Sequence, residues 1–251
     1  GREYVLRITH DRQTPHPWIN VIARDDFGFH VSAEGASYTW AVNSRDYRIT
    51  PWTNDPVINA PGETILVHDP ETGCVASPFL ATSEPGDAVF EAAHGLGYSR
   101  FAADYGWVVV EAVMTLARDV PARLTRLRVT NRTRRHLRLR GVAYAQLVLG
   151  TDAAVAGPMV RTGFDTGLAA AIGRNPYSAD FADRITALAC DREVDAHCGS
   201  RTAFLGREGA ISYPAALESW PRPAAQGGGG AQDVEAAGDP CAAIRLPLSV
   251  A

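Results

Sequence analysis

The sequence predicts an all-β protein, a large antiparallel β-sandwich of two sheets with few short helices, and three observations carry that expectation. Short runs of alternating apolar and polar residues recur along nearly the whole chain. Helical signals are confined to a few brief stretches, and no segment repeats at a period of about 20 to 50 residues. At 251 residues the chain lies at the upper end of what one hydrophobic core supports, so a single domain over 1–251 is expected. With 46% hydrophobic and 21% charged residues, it has the apolar material for a core and lacks the profile of a disordered chain.

The strands follow in order. "REYVLRIT", Arg2 to Thr9, opens the chain as a strand. "TILVHD" and "CVASPF" flank "DPETG", a hairpin turned by Pro70 and Gly73. "DAVFEAAHGLGYSRFAADYGWVVVEAVMTLARD" alternates between glycines and predicts two or three strands. In "LTRLRVTN" and "HLRLRGVAY", Leu127, Val129, Leu137 and Leu139 fall on one face, and Arg126, Arg128, Arg138 and Arg140 on the other. With the polar turn Asn131 to Arg135 between them, they read as a hairpin with one buried and one wet face. "RITALACD" and "RTAFLGRE" read as another strand pair. Short helical turns are expected in "YSADFADR" behind Ser178 and in "PAALESW" from Pro214. "AAQGGGGAQ", around Gly227 to Gly230, reads as a flexible loop before the final strand "AAIRLPLSVA".

Composition excludes several functions. A net charge of −4 and a pI near 6.0 offer no positive excess to follow a phosphodiester backbone, so no nucleic-acid partner is expected. All 24 basic residues are arginine, which removes P-loop, Schiff-base and lysine-base chemistry. The four cysteines, Cys74, Cys190, Cys198 and Cys241, are too sparse for a disulfide scaffold and fit a reduced, cytoplasmic setting. The apolar run Trp107 to Met114 is interrupted by Glu111 and too short to span a bilayer. Gly1 and the strand-like end at Ala251 read as cut ends, an excerpt of a longer protein.

No catalytic or metal-ligating set emerges. Cys190, His197 and Cys198 lack a fourth ligand or a paired CxxC spacing. The glycine run lacks the flanking strand, helix and lysine of a phosphate loop. His94, alone between strands, reads as a hydrogen-bonded structural residue rather than an acid.

The segment "WAVNSRDYRITPWTNDP", Trp40 to Pro56, stands apart because it has neither helical nor strand-like period and is dense in planar, hydrogen-bonding groups. Sugars present an apolar C–H face that stacks on tryptophan, and hydroxyls that Asn, Asp and Arg grip in pairs. Trp40, Asn43, Arg45, Arg48, Trp52, Asn54 and Asp55 supply both parts. Pro51 and Pro56 steer Thr50 and Asp55 away from helix and give the loop a set course. By composition, a sugar-holding loop and a scaffold that plugs the sandwich end fit equally well.

The run from Pro15 to Val57 contains "PWINV", "FGF", "YTW" and "NSRDYRITPWTNDP", followed by "HGLGYSRF", "RNPYSADFADR", "FLGREG" and "DPCAAI". In that order these resemble the phosphorylase region of cyclic β-1,2-glucan synthases, glycoside hydrolase family 94, with weaker likeness to cellobiose and chitobiose phosphorylases. The resemblance implies a super-β-sandwich of the galactose-mutarotase-like kind, followed by a helical linker and an (α/α)6 barrel. It implies cleavage or synthesis of β-glucosidic bonds with inversion, one carboxylic acid protonating the leaving oxygen while phosphate attacks. That acid is an aspartate of the barrel, so residues 1–251 alone are expected to be inactive. No cofactor is implied, inorganic phosphate being the co-substrate of the whole enzyme. The implied partners are a β-glucan oligosaccharide, the barrel of the same chain and a second copy in a homodimer. The implied location is the cytoplasmic face, with the parent at the inner membrane. Carried onto the matching loop, the resemblance favours Trp52, Asn54 and Asp55 for sugar contact and Arg48 for bracing.

Overall fold

A computed structural model of the chain describes residues 2–55, 57–86, 88–207, 209–221 and 238–251. The first strands are β1 (Glu3–Ile8), β2 (Ile19–Arg24), β3 (Phe27–Ser32), β4 (Ser37–Ala41), β5 (Glu63–His68) and β6 (Val75–Ala76). Next come β7 (Val89–Gly95), β8 (Tyr98–Asp104), β9 (Val108–Leu116), β10 (Arg123–Asn131) and β11 (Leu137–Gln146). After the short helix α1 (Ala153–Ala156) follow β12 (Arg161–Asp165), β13 (Ala170–Arg174), β14 (Ile185–Leu188) and β15 (Ala196–Ser200). Helix α2 (Arg201–Leu205) and the 3₁₀ turn Ala215–Leu217 precede β16 (Pro240–Val250).

The all-β expectation holds, but the expected pair of large sheets does not. The strands form four antiparallel sheets, ordered β1-β7-β8-β9-β10, β15-β16-β11-β5-β6, β12-β13-β14 and β2-β3-β4, in a propeller-like arrangement of small sheets. A period of two reports which face of a strand is buried and is silent on which strand lies beside it. The pair predicted as a hairpin shows the difference. Leu137 and Leu139 are buried and Leu127 and Val129 pack against them, as the alternation requires. Yet β10 pairs with β9, whereas β11 pairs with β16 and β5. The turn after Asn131 is therefore a crossover from one sheet to another.

Elsewhere the local reading is closer. β5 and β6 form the predicted hairpin, whose Asp69 side chain accepts from Glu71 N and Thr72 Oγ1 while Gly73 takes a φ of 76°. β7, β8 and β9 form a meander. "RITALACD" yields β14, but "RTAFLG" is the helix α2 rather than a strand. Ser200 caps its start by accepting from Ala203 N, Gly206 at φ 84° ends it, and Phe204 and Leu205 are buried. "YSADFADR" makes turns only, with Ser178 Oγ accepting from Phe181 N. Pro214 starts the 3₁₀ turn at Ala215. The loop around Gly227 to Gly230 lies outside the described residues.

Shared cores join the sheets. Phe29 and Val31 of β3 meet Phe101 of β8 and Met114 of β9. Val67 of β5 and Leu139 of β11 meet Val110 of β9. Phe27 and Tyr47 meet Leu147, Ala171 and Ile244. The opposite face of β11 and β16 is covered by α2, where Tyr144 stacks on Phe204 at 4.7 Å. Among the described residues no helix is long and apolar enough to cross a membrane, and the four cysteines form no disulfide.

Candidate functional site

The loop from Trp40 to Asp55 first runs back along the edge of β4, with Arg48 bridged to Trp40 and Ile49 N donating to the Thr39 carbonyl, and then brings Trp52 over the outer face of the β2-β3-β4 sheet. On β4, Ser37 and Thr39 alternate with Tyr38 and Trp40, so the hydroxyls face inward and the aromatics outward. The register pairs Gly28 with Trp40 and His30 with Tyr38. Trp40 lies across the bare Gly28 backbone, where an added Cβ would sit 2.5 Å from Cζ2. Trp52 returns over this face, stacking on Tyr38 at 5.5 Å and 19° and meeting His30 edge-on at 4.8 Å. Trp40 completes the group at 5.2 Å from Tyr38.

This aromatic group is kept neutral. Burial lowers His30 to about 4, against the pull of Glu63, so the imidazole is uncharged at neutral pH. Burial raises Tyr38 to about 12, with Arg48 opposing. Arg48 supplies a positive charge beside it, its guanidinium 6.0 Å from the Tyr38 ring and its Nη1 donating to the Trp52 carbonyl at 3.1 Å.

Three of the seven predicted residues, Trp40, Arg48 and Trp52, are thus gathered around Tyr38. The other four fall on two turns to either side. Asn43 Oδ1 accepts from Arg45 N and Asp46 N, while its amide donates to Asp46 Oδ2; Arg45 is exposed. Asn54 takes a left-handed φ of 54°. Asp55 Oδ1 accepts from Ile58 N and Val57 N, bonds that hold its carboxyl below the usual range. Asn43 and Asp55 therefore spend hydrogen-bonding capacity on the loop itself.

Beneath the loop lies a buried network with no counterpart in the sequence reading. Glu63 on β5 accepts from Ser37 Oγ at 2.5 Å, Thr50 Oγ1 at 2.6 Å and Thr39 Oγ1 at 2.9 Å, and pairs with Arg123 of β10. Burial alone would raise this carboxyl, but Arg123, Ser37 and Thr50 outweigh it and the net shift is downward. One side chain thus ties the loop to three sheets. The signal in the sequence was faint: hydroxyls at Ser37, Thr39 and Thr50 on a face otherwise due to be apolar.

The comparisons with known proteins follow the same span. The model of the glycosyl hydrolase 94 supersandwich domain matches residues 2–251. The chain belongs to this family. The supersandwich domain is 43% identical, over 250 residues, to the cyclic beta-(1,2)-glucan synthase NdvB of Rhizobium meliloti, covering all of this chain and 9% of the synthase. It is 27% identical to the N,N'-diacetylchitobiose phosphorylases of Vibrio furnissii, over 52% of this chain and 16% of that protein, and of Vibrio proteolyticus, over 43% and 13%. The supersandwich domain thus corresponds to a small part of the length of each relative.

The remaining sequence candidates have structural surroundings. His94 Nδ1 is hydrogen-bonded to Ser99 Oγ at 2.9 Å, and burial lowers its imidazole. His197 stacks on Phe164 at 4.3 Å, and Cys198 belongs to the core under α2. Among the described residues no group of three or more His, Cys, Asp or Glu is placed to hold a metal ion.

Proposed function

We propose that this supersandwich domain is the carbohydrate-facing scaffold domain of a longer β-1,2-glucan phosphorylase or cyclic β-1,2-glucan synthase. In this reading the domain walls the sugar subsites of an inverting phosphorolytic site whose acid and phosphate-binding groups lie elsewhere in the parent chain. The whole-chain similarity to the synthase supports the parent. The aromatic group supports the sugar role: Trp40 and Trp52, both partly exposed, flank Tyr38 on a neutral, rigid platform with Arg48 beside it. Flat aromatic faces of this kind cover the C–H face of a pyranose, and an arginine beside them serves its hydroxyls.

A second reading, a structural module that docks on the barrel or on a second copy, draws on a different observation. The same sheet face continues onto Ile19 and Val21, which are 47% and 57% exposed, with Trp18 next to them at 52%.

Trp52→Ala separates the two. In a parent enzyme carrying this domain, the first reading expects KM for β-1,2-gluco-oligosaccharides to rise up to about tenfold, the size of one lost stacking contact at its upper range, with the domain still folded. Unchanged kinetic constants would leave the structural module. Titration of the chain itself with β-1,2 oligomers, read by tryptophan fluorescence against β-1,4 oligomers, supports the first reading if it saturates; no response leaves both a subsite completed only by the barrel and a scaffold, which the same titration on the parent enzyme separates.

A further inference from the structure

Among the described residues, the cavity around Glu34 shares no lining residue with the Trp52 stack. We propose that it is a separate binding site for one hydroxyl-bearing ring the size of a single sugar residue, held through a neighbouring pair of hydroxyls on the Glu34 carboxylate. The cavity measures about 320 Å³ and is built from four connections: residues 10–17, the β3–β4 turn, residues 57–61 and residues 80–85.

Glu34 is the reason for the proposal. It is only 7% exposed and lines the cavity, yet its carboxylate is poorly served. Oε1 accepts from Thr14 Oγ1 at 2.9 Å, but the same hydroxyl lies 2.6 Å from the His16 carbonyl. One proton cannot serve both acceptors, and the shorter contact is to His16. Oε2 meets Asn59 Nδ2 at 3.5 Å, the outer limit of a hydrogen bond, and that amide makes its better contact with Ser32 Oγ at 3.0 Å. Among the described residues no arginine or histidine forms an ion pair with Glu34. A buried carboxylate has room for about four hydrogen bonds and is costly when they are unmade, so the cavity asks for donors.

Size and lining choose the donor. The volume falls at the lower end of the range for small-molecule pockets and is larger than a bare ion requires. A divalent cation also needs about six or more oxygen ligands, usually with several carboxylates among them, and among the described residues Glu34 is the one carboxylate in the lining. Pro17, Pro61 and Leu80 give apolar walls for the C–H face of a ring, and Ile58, 70% exposed, stands at the rim. On another wall His10 Nε2 and Ser83 Oγ, 3.1 Å apart, offer a polar pair to the ring's remaining hydroxyls. Two vicinal hydroxyls donate to one carboxylate at two points, one to each oxygen.

The test uses D-glucose as the probe on the 251-residue chain, with calcium and methylammonium as controls. Binding is followed by calorimetry, and occupancy of the cavity by the rate at which a carbodiimide couples to Glu34, read by mass spectrometry. The expected result is saturable glucose binding that slows coupling at Glu34 several-fold; that protection is unchanged in Trp52→Ala, and the binding is weakened about tenfold or more in Glu34→Gln and in Asn59→Ala. The protection measurement on the unaltered chain decides the matter even if a variant fails to fold. Absence of saturation, full binding by a folded Glu34→Gln, or protection by a cation but not by glucose overturns the proposal. Trp52→Ala keeps the two sites distinguishable: its effect on oligosaccharides stands or falls without changing glucose protection at Glu34.

Discussion

Glu63 and Glu34 are both buried glutamates beside the same β3–β4 hairpin, and their surroundings are opposite. Glu63, 4% exposed, has Arg123 for its charge and three hydroxyls for its lone pairs. Glu34 shares one hydroxyl with a carbonyl, has a long contact to Asn59, and opens onto a cavity. A carboxylate whose bonds are completed from within holds elements together. One left incomplete is free to take its missing donors from outside the chain. Burial alone does not distinguish the two roles; the count of satisfied lone pairs does.

The largest expected effect breaks the first member of this pair. Glu63→Ala leaves Arg123 without its partner and three hydroxyls without an acceptor, and should cost about 3–5 kcal/mol in urea unfolding. Replacing both charges by Met and Leu should recover most of that loss. Glu34→Gln should stay within about 1 kcal/mol, because little is completed there to lose. Equal costs for the two glutamates would remove the distinction.

Acid sharpens the comparison next. His30, under Trp52, has its folded value lowered to about 4 from 6.5, so between these values the unfolded chain binds a proton that the folded chain refuses. Its contribution is fully present above pH 6.5 and is lost as the pH falls toward 4, on the order of 2 kcal/mol. His30→Phe should flatten that slope in part; His68, His94 and His197, also lowered by burial, keep the remainder. Glu63, lowered by Arg123 and its hydroxyl partners against the penalty of burial, adds a further loss as the pH falls below 4.5 through its folded value.

Two smaller effects test the loop's footing. Gly28→Ala puts a methyl against Trp40 and Ala23 and should cost about 1–3 kcal/mol with a changed near-UV circular dichroism band. Asn54→Gly, at φ 54°, should shift the melting midpoint hardly at all, whereas Asn54→Ala should cost about 1 kcal/mol.

What could be read in advance follows from how far each signal reaches along the chain. Alternation is local, so the strand character of β7 through β11 and the buried faces of Leu127 and Leu137 were legible. Pairing is not local: Arg128 lies opposite Glu111, whereas Arg140 lies opposite Pro247 and His68. The helix α2 was misread because Thr202, Phe204 and Leu205 mimic a strand until the Ser200 cap is weighed. At the site, Trp40, Arg48 and Trp52 announced themselves by type. His30, Tyr38, Glu34 and Glu63 did not, since each sits in an ordinary strand or turn and owes its role to partners distant in sequence.

The placement of β16 reaches beyond the finished fold to the chain's synthesis. This last strand is inserted between β15 and β11, and pairs with β11 from Leu137↔Val250 to Gln146↔Cys241. Its Cys241 and Ala243 complete the core on one side of the sheet, and Ala242 and Ile244 the core on the other. A nascent chain emerging from the ribosome therefore carries β11 with one edge bare until β16 arrives. In that interval the exposed edge is open to pairing with any other extended segment, so chaperone dependence should be greatest while β16 is still untranslated and fade once its residues have emerged and paired with β11.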